Sequence, residues 1–509
     1  MAGNSRRFKA AGHTKPKFLL KCGRWLMIEH VIDMFSEFDH FHLILNKDHI
    51  NEENITTTLK NLAPKVDLYF INNHEKGPTV SILNAKLNLD PSLPVIISYC
   101  DFTIDWDYEL FMRSIFHCDA AVPYFQGFQA ASLGNTNYAY MRQSNNTMLE
   151  LREKKPFTSN RIDEPASTGI YYFKSLHYFE EMSQRLFFNQ EEFPNNEAYV
   201  SLLLNEVVDS GGEVLLYKVN KFICFGTPED LDQYNYWYHH FVNNNKKDMD
   251  KFVDVSMVPM AGEGKRFKDY GYRTSKPVIQ IGNESLIKKC ISSLPQSSRE
   301  IYLMQKKTFM YETIRKEIAA INDKSETEFI SVEGITAGPV STCLLAREIL
   351  DPKESLMISS CDYELGYDST ELFKLKRELD PDVIIFTFKI KSQPVGAYEN
   401  FAYCQEDEGT VLKIIEKECI SSDPSNDHMV TGTFWYKHAS LFLEAADNLI
   451  SNNIRVNNEY YIGTSINYLI EKNIKVICFE VDKWISFGDP KELNLYYFWM
   501  DYFQKNLNL

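Results

Sequence analysis

The sequence lacks any long apolar run. Over its 509 residues, no stretch approaches the roughly 20 consecutive apolar residues that a membrane-spanning helix requires. The basic N-terminus also lacks the apolar core of a secretory signal, because Lys21 and Arg24 closely follow Phe18. We therefore expect a cytoplasmic protein without a membrane partner.

Positive charge is scarce as well. Lys and Arg number 54 against 70 Asp and Glu, which gives a net charge of −16. This deficit argues against nucleic acid as the main partner, because nucleic-acid-binding proteins present a basic surface. The ten cysteines form no Cys-x-x-Cys pair and no cluster with histidine, so we expect reduced thiols rather than disulfides or zinc sites.

The sequence does contain an internal repeat. The equivalent positions are Lys17 and Lys276, Asp101 and Asp362, Glu153-Lys154 and Glu416-Lys417, Thr168-Gly169 and Thr431-Gly432, and Phe225-Gly226 and Phe487-Gly488. The separation between equivalent positions stays between 259 and 263 residues, so the repeating unit is a whole domain.

Within each half, short runs rich in β-branched residues alternate with helical patterns. This order predicts an α/β fold with two tandem Rossmann-like domains, each a mostly parallel sheet flanked by helices. The predicted domains span 1–242 and 251–509, and the polar segment 243–250 is the predicted linker. Each half ends in a helical pattern with an aromatic stripe (231–241 and 493–503), and we expect the halves to pack as a pseudo-dimer.

A glycine-rich turn follows the first apolar run of the second half. It reads Gly262-Glu-Gly-Lys-Arg-Phe267, and Ser275-Lys276-Pro277 comes shortly after it. Such a turn points several backbone N–H groups at one place, which suits a phosphate chain. No Gly-Lys-Ser/Thr closes the turn, so it is not a Walker P-loop.

The order Gly-x-Gly-x-Arg-Phe, spacer, Lys-Pro resembles the signature of the sugar-phosphate nucleotidyltransferase (NTP_transferase) family. The resemblance covers nearly all of both halves, as a tandem duplication, and is nearest to glucose-1-phosphate thymidylyl- or uridylyltransferase-like proteins. It implies a GT-A-like domain that joins a nucleoside triphosphate to a phosphorylated acceptor, such as a sugar 1-phosphate, with Mg²⁺ as cofactor and release of pyrophosphate. Nucleotide-sugar synthesis for a surface polysaccharide is the pathway that it suggests.

The resemblance also assigns roles to residues. The predicted catalytic residues are Arg266, Lys276 and Asp362 in the second half and Arg7, Lys17 and Asp101 in the first, and the two aspartates are the predicted Mg²⁺ ligands. The predicted nucleotide-binding residues are Ala261, Gly262, Glu263, Gly264, Lys265, Gly338, Gly3 and Gly77. The predicted acceptor-binding residues are Glu416, Lys417, Thr431, Gly432, Asn458, Glu459, Glu153, Lys154 and Gly169.

Three departures from the family pattern accompany these matches. Cys224 and Ser486 stand where the family has an aspartate as second metal ligand, and Asn457, Asn458 or Glu459 is the candidate replacement. Ser5 replaces the second loop glycine in the first half. Met1 aligns with Met260, so the first half lacks a counterpart of the predicted first strand that ends at Pro259.

Two alternative functions remain open at this point. A GT-A glycosyltransferase would use an Asp-x-Asp motif, and Asp105-Trp-Asp107 has that form, although Asp107 and its counterpart Asp368 also fit as helix N-caps. The other alternative is one catalytic half joined to one binding or regulatory half. The Ser5 replacement and the missing strand favour the first half for that second role.

Overall fold

The chain folds into two compact units. The structure, a computed structural model, describes residues 1–36, 39–51, 54–63, 65–134, 138–190, 192–242, 251–321, 326–390 and 398–507. The described residues of Met1–Asn244 and Phe498–Leu509 form one unit, and those of Asn245–Tyr497 form the other. The predicted linker 243–250 lies outside the described residues. Among the described helices, none has the length and hydropathy that crossing a membrane requires.

The described residues of the first unit form a seven-stranded mixed sheet and three separate pairs of strands. Its strands are β1 (Lys21–Cys22), β2 (Trp25–Leu26), β3 (Phe41–Asn46), β4 (Val66–Ile71), β5 (Val95–Ser98), β6 (Phe102–Asp105), β7 (Ala120–Phe125), β8 (Ala139–Ser144), β9 (Thr147–Glu153), β10 (Ala166–Ser167), β11 (Ile170–Phe173), β12 (Val214–Lys218) and β13 (Lys221–Cys224). Its helices are α1 (Arg6–Ala10), α2 (Met27–Ile32), α3 (Ile55–Lys60), α4 (Pro78–Ala85), α5 (Tyr108–Ser114), α6 (Leu176–Asn189), α7 (Leu203–Asp209) and α8 (Pro228–Val242). The main sheet has the order β10-β8-β9-β12-β7-β11-β5, while β1 with β2, β3 with β4 and β6 with β13 form the separate pairs, of which β3 and β4 pair in parallel.

The second unit contains one continuous nine-stranded sheet. Its strands are β14 (Val253–Pro259), β15 (Gln280–Ile281), β16 (Glu284–Ser285), β17 (Ser297–Gln305), β18 (Glu326–Val332), β19 (Leu356–Ile358), β20 (Tyr363–Gly366), β21 (Val383–Phe388), β22 (Ala402–Asp407), β23 (Thr410–Glu416), β24 (His428–Tyr436), β25 (Val476–Glu480) and β26 (Lys483–Ser486). Its helices are α9 (Lys265–Asp269), α10 (Leu286–Ile291), α11 (Tyr311–Ala319), α12 (Pro339–Cys343), α13 (Ser369–Leu379), α14 (Ala439–Ser451), α15 (Ile462–Glu471) and α16 (Pro490–Leu507), whose residues from Phe498 onward belong to the first unit. The sheet order is β18-β17-β14-β19-β24-β21-β25-β23-β22.

Alternating side chains of the central strands fill the two faces of this sheet. Leu356 and Ile358 of β19 are fully buried in a core with residues of α14 and α15. Met357, between them, points into a second core that contains Leu372 of α13. A strand that is apolar on both faces is typical of a sheet covered by helices on both sides. The structure thereby confirms the α/β class and the two sheet-based halves.

The sheets are mixed rather than mostly parallel. In the second unit β14 is parallel to both β17 and β19, but β24 runs antiparallel between β19 and β21. β22 and β23 form an antiparallel hairpin, and β24 keeps the direction of β23 because both run antiparallel to β22. The reversal at this hairpin therefore explains the mixture.

The predicted second domain runs to residue 509, whereas the second compact unit ends at Tyr497. The aromatic rings of the last helical turns account for this difference. Within the first unit, the rings of Trp499, Tyr502 and Phe503 lie 5.4 to 6.2 Å from the ring of Tyr234 in α8.

Among the described residues of the first unit, no strand is equivalent to β14. In the second unit β14 joins β17 to β19, whereas in the first unit β3 and β4 stay separate from the sheet that ends at β5.

Candidate active site

The predicted catalytic residues of the second unit lie together beyond the carboxyl ends of two central strands of its sheet. The glycine-rich loop follows β14, and Asp362 lies shortly after β19, the parallel neighbour of β14. Ligands of open α/β sheets bind beyond the carboxyl ends of such strands. The Nζ atom of Lys276 lies 2.9 Å from Oδ2 of Asp362, and Ser360 Oγ donates to Oδ1 of the same carboxylate at 2.5 Å.

This ion pair is partly buried. The exposed fraction is 16% for the Lys276 side chain and 35% for that of Asp362. Burial acts to raise the pKa of Asp362, but Lys276, Ser360 and Arg266 outweigh it and hold this pKa below its ordinary value. Burial likewise acts to lower the pKa of Lys276, yet Asp362 keeps it above its ordinary value. Both groups are therefore charged at neutral pH.

The loop in front of this pair is open to solvent. Gly264 has φ 61°, in the left-handed region, and directly precedes the five-residue helix α9. Lys265 and Arg266 are exposed, as are Gly262 and Glu263. The carbonyl of Ala261 accepts a hydrogen bond of 2.6 Å from Gln305 Nε2, which fixes the start of the loop against β17.

A second carboxylate, that of Glu492, lies beside Asp362. The comparison of the two halves of the sequence did not identify it. A side-chain carbon added at Gly488 would lie 3.5 Å from Asp362 Oδ2 and 3.7 Å from Glu492 Oε2. Ser486, at the family's second metal position, donates to Glu492 Oε2 at 2.5 Å, and the Asp489 amide donates to it at 3.0 Å. Burial raises the pKa of Glu492, and the nearby Asp489 and Asp362 charges add to that effect.

The residues that the sequence suggested as the second metal ligand lie elsewhere. Glu459 interacts with Tyr461 and borders Gly338 rather than Asp362. Asn457 and Asn458 both have positive φ, 48° and 65°, in the turn before Glu459.

The loop that contains Gly338 packs closely against the turn that precedes Tyr460. The φ of Gly338 is 111°, and an added side-chain carbon would lie 2.6 Å from the amide nitrogen of Tyr460. The Tyr460 amide donates to the Ala337 carbonyl at 2.8 Å, and the Val340 amide donates to the Tyr460 carbonyl at 3.2 Å. Only glycine permits this backbone approach.

The predicted acceptor residues form a group next to that turn. Burial raises the pKa of Glu416 to about 7, although Lys417 opposes the shift. Lys417 has φ 61°, donates to the Asn400 carbonyl and lies 5.7 Å from the ring of Tyr461. A carboxyl group and an ammonium group side by side can serve hydroxyl and phosphate groups of one ligand.

Thr431 and Gly432 lie on β24, which runs beside β19. The Thr431 hydroxyl is buried and donates to the Phe386 carbonyl at 3.0 Å, so its side chain is engaged within the sheet. Gly432 has φ 97°, and an added carbon would lie 3.9 Å from Ser360 Cβ, close to Asp362. Gly432 therefore belongs to the site through its backbone.

The first unit repeats the core of this arrangement. Lys17 forms an ion pair with Asp101 and also donates to the Gly226 carbonyl at 3.2 Å. An added carbon at Gly226 would lie 3.6 Å from Asp230 Oδ2 and 3.7 Å from Asp101 Oδ2, as at Gly488. Cys224 therefore has the same relation to Asp230 as Ser486 has to Glu492.

Other predicted residues of the first unit also match their counterparts. Gly77 has φ 95° and meets the backbone of Ala198, and Gly169 has φ 97° beside Tyr99. Lys154 has φ 57° and donates to Tyr199 at 2.6 Å, and Glu153 accepts from Ser201 at 2.5 Å. Gly3 and Arg7 are exposed.

A family model matches most of the second half of the chain: residues 256–502 match the model described as nucleotidyl transferase. A comparison with curated proteins finds no match.

Three solved structures are similar to about half of the chain. The nucleoside-diphosphate-sugar pyrophosphorylase from Vibrio cholerae RC9 is 18% identical over 47% of this chain and 98% of its own, with a TM-score of 0.40. The inositol-1-phosphate CTP transferase from T. maritima is 14% identical over 50% of this chain and 97% of its own, with a TM-score of 0.39. A UDP-glucose pyrophosphorylase solved with UDP-glucose is 15% identical over 50% of this chain and 100% of its own, with a TM-score of 0.38.

Proposed function

We propose that the protein transfers a nucleotidyl group from a nucleoside triphosphate to a phosphorylated acceptor and releases pyrophosphate. The observation that carries this proposal is the pair of Lys276 and Asp362, at 2.9 Å beside the glycine-rich loop. Lys17 and Asp101 form the same pair beside the equivalent loop of the first unit. A fixed cation next to a fixed anion, at an edge lined with backbone amides, suits a phosphate chain and its counter-ion.

The residues of the chain perform this reaction by positioning and charge. Arg266 and the loop amides hold the β- and γ-phosphates, and Lys276 stabilises the negative charge that develops around the α-phosphate. The acceptor phosphate oxygen attacks the α-phosphorus in line. A new phosphorus–oxygen bond forms, and the bond to the β-phosphate oxygen breaks with pyrophosphate as leaving group. The acceptor phosphate is already anionic, so no general base is required.

The residues at this edge also fit Mg²⁺. Asp362 and Glu492 present carboxylate oxygens to the same point above Gly488, and carboxylate oxygens are the ligands that Mg²⁺ prefers. Glu492 is thus our proposed replacement for the aspartate that Ser486 displaces, and Asp230 plays the same part in the first unit. Bound Mg²⁺ would neutralise charge on the triphosphate oxygens.

The acceptor binds, in this proposal, between the Glu416–Lys417 pair and Gly432. Lys417 binds the acceptor phosphate, and Glu416 accepts from a hydroxyl group. A sugar 1-phosphate is the acceptor that these two groups suit best, and a cytoplasmic step of nucleotide-sugar synthesis for a surface polysaccharide is the pathway that we infer. The pseudo-dimer also belongs to this proposal, supported by the aromatic stripes of the two closing helices; small-angle scattering that shows two independently moving lobes would contradict it.

A pyrophosphate-release screen tests the proposal. The full chain is incubated with each of four nucleoside triphosphates and a panel of sugar, polyol and choline phosphates. We expect release with one combination, and a Lys17→Ala, Lys276→Ala double variant should lose about 10²-fold or more, the scale for a preorganised charged contact. Lys268→Ala changes an exposed lysine of α9 and should leave release unchanged. Full release by the double variant would contradict the proposal.

The contacts of the Asp-x-Asp motif disfavour the glycosyltransferase alternative. Asp105 pairs with Lys505 at 2.6 Å within the first unit. Asp107 caps α5 by accepting from the Leu110 amide at 2.8 Å, and Asp368 accepts from the Thr370 amide in the same way. These contacts confirm the predicted N-caps and engage both carboxylates of the motif in the fold.

A further inference from the structure

Two histidines and an aspartate of the first unit lie together at the start of the β3–β4 pair. His42 of β3 is directly opposite Asp67 of β4, and the Phe41 amide donates to the Lys65 carbonyl at this end of the pair. His40 precedes His42 by two positions and therefore lies on the same face, because side chains alternate along a strand. All three side chains project from one face of two neighbouring strands.

The nitrogen and oxygen atoms of these side chains are close to one another. Nε2 of His40 lies 3.0 Å from Oδ2 of Asp67, and Nδ1 of His42 lies 3.7 Å from the same oxygen. One such atom from each of the three side chains lies within 4.8 Å of the other two. Zinc bonds of about 2.0–2.1 Å in a tetrahedron separate the ligand atoms by about 3.3–3.4 Å. The two distances to Asp67 lie on either side of that value, so small side-chain rotations suffice to enclose a zinc ion.

The fold leaves one nitrogen of His42 without a hydrogen bond. Among the described residues, Nδ1 of His42 is buried and has no hydrogen-bond partner, because 3.7 Å to Asp67 is too long for one. The rings of His40 and His42 lie side by side, with centroids 4.4 Å apart, so both can direct a nitrogen toward the aspartate. A buried polar atom without a partner is uncommon in folded proteins, and a bound metal ion would satisfy this one.

The second unit has different residues at the equivalent positions. They are Arg299, Ile301 and Glu328, and Ile301 is again directly opposite Glu328. Arg299 forms ion pairs with Glu328 at 3.1 Å and with Glu354 at 2.9 Å. In the first unit a histidine stands in place of the arginine. A divalent cation bound by both imidazoles would supply the positive charge next to the aspartate.

We propose that His40, His42 and Asp67 bind a zinc ion, with water as the fourth ligand. Two imidazoles and one carboxylate are a ligand set that zinc accepts, whereas Mg²⁺ prefers oxygen ligands. The side chains of His40 and Asp67 are 49% and 54% exposed, so water can reach the fourth position. The site contains no cysteine, so the pattern of cysteines in the sequence could not reveal it.

This site is separate from the candidate active site of the first unit. The loop that contains Asn4 reaches β3 at its other end, where the side chains of Asn4 and Asn46 lie 3.5 Å apart. Four residues of extended strand, about 13 Å, separate His42 from Asn46. The ion would therefore join β3 to β4, which pair only with each other among the described residues, without taking part in nucleotidyl transfer.

Calorimetry with Zn²⁺ on the full chain tests the proposal. Excess Mg²⁺ is present to fill the carboxylate sites near Asp101 and Asp362. We expect zinc to bind, and His42→Ala and Asp67→Asn should each weaken its binding at least about tenfold. His117→Ala changes an exposed histidine outside the cluster and should leave zinc binding unchanged. No zinc binding, or equal binding in His42→Ala, would overturn the proposal.

A second variant covers the case in which these substitutions prevent folding. The His40→Arg, His42→Ile double variant introduces the residues that the second unit has at these positions, next to an aspartate in place of Glu328. An ion that binds only the folded state raises its melting temperature. Zn²⁺ should therefore raise the melting temperature of the unmodified chain and leave that of the double variant unchanged. An equal shift in both proteins would overturn the proposal.

Electron paramagnetic resonance of Cu²⁺ identifies the ligands without any substitution. Imidazole nitrogen binds Cu²⁺ as well as zinc, so Cu²⁺ is the probe for this site. With excess Mg²⁺ present, the spectrum of the unmodified chain should show coupling to two imidazole nitrogens. A spectrum from oxygen ligands alone, or from a cysteine sulfur, would contradict the proposal. None of these readouts depends on nucleotidyl transfer.

Discussion

Glu492 illustrates how one carboxylate can replace another from a different position in the sequence. The family places its second metal ligand where this chain has Ser486, six positions before Glu492. Because the helix that follows turns back over Gly488, Glu492 still presents its carboxylate next to Asp362. Asp230 does the same six positions after Cys224, so both halves of the repeat keep this arrangement.

Changing Glu492 to Gln should weaken metal binding at the second unit. The amide can still accept from the Asp489 amide and so keep the helix start, but it lacks the charge that a divalent cation requires. We expect Glu492→Gln and Asp362→Asn each to weaken Mn²⁺ binding about tenfold or more, measured by electron paramagnetic resonance. Asp489→Asn removes a charge from the same turn and should have little effect. Unchanged Mn²⁺ affinity in Glu492→Gln would exclude it as a ligand.

Ser5 occupies a backbone conformation that suits glycine. Its φ is 51°, and Gly264 at the equivalent position has φ 61°. The left-handed region costs a non-glycine residue about 1–2 kcal/mol, more than the entropy that glycine loses on folding. We expect Ser5→Gly to stabilise the first unit by about 0.5–1 kcal/mol and Gly264→Ser to destabilise the second by a similar amount. Chemical unfolding measures both, and Ser5→Ala should bring no gain because it keeps the strain.

Glu416 makes the stability of the second unit depend on pH. Burial raises the pKa of Glu416 to about 7, well above that of a free glutamate, so between these two pKa values the folded state binds more protons than the unfolded state. Stability therefore falls as pH rises through this window, by up to about 3 kcal/mol. Glu416→Gln should raise the melting temperature at pH 8 and leave it unchanged at pH 4. Glu418→Gln, at an exposed neighbour, is the control; an equal effect there would refute the role of burial.

At the scale of elements, the sequence predicted the helices and strands that the local pattern of apolar residues determines. The closing helix predicted at 231–241 lies within α8. The mixed sheet was not predictable, since the direction of β24 follows from the β22–β23 hairpin that precedes it rather than from its own apolar pattern.

Part of the candidate site was predictable for the same reason. The ion pair of Lys276 with Asp362 joins two motifs that the repeat preserves in both halves. Glu492 was not predicted as a site residue because in the sequence it is an ordinary residue at the start of a helix. Only the fold brings it close to Asp362. The signal that could have found it is the acid that both halves keep six positions after the substituted ligand.

The contact between Gly338 and Tyr460 links two loops of the site. Gly338→Ala would place a side-chain carbon 2.6 Å from the Tyr460 nitrogen, in addition to straining a φ of 111°. We expect a loss of more than about 1 kcal/mol of stability and at least about tenfold weaker triphosphate binding, because the turn that carries Glu459 must move. Gly409→Ala has φ 82° but open space around it, so it isolates the backbone strain. Calorimetry should show intact triphosphate binding in Gly409→Ala; equal losses in both variants would mean that the contact is unimportant.

At the scale of the whole molecule, the two units share the same arrangement of charged residues. They differ in the strand that supports the glycine-rich loop. Both hold a lysine–aspartate pair next to a second carboxylate. In the second unit the loop extends from β14, a strand buried between two parallel neighbours, whereas the described residues of the first unit include no equivalent strand. A loop on a rigid strand positions its amides more accurately, and accurate positioning determines the rate of phosphoryl chemistry.

We therefore expect the second unit to carry the turnover and the first to bind nucleotide with little turnover. In the full chain, Lys276→Ala should reduce pyrophosphate release about 10²-fold, because it removes a preorganised charge from the catalytic unit. Lys17→Ala should leave most of the release intact but remove one of two triphosphate sites counted by calorimetry. The exposed lysines Lys9 and Lys268 occupy equivalent places on α1 and α9, and their alanine variants are the matched controls. Equal losses of release from Lys17→Ala and Lys276→Ala would show two equally active units, in which case the missing strand has no consequence for catalysis.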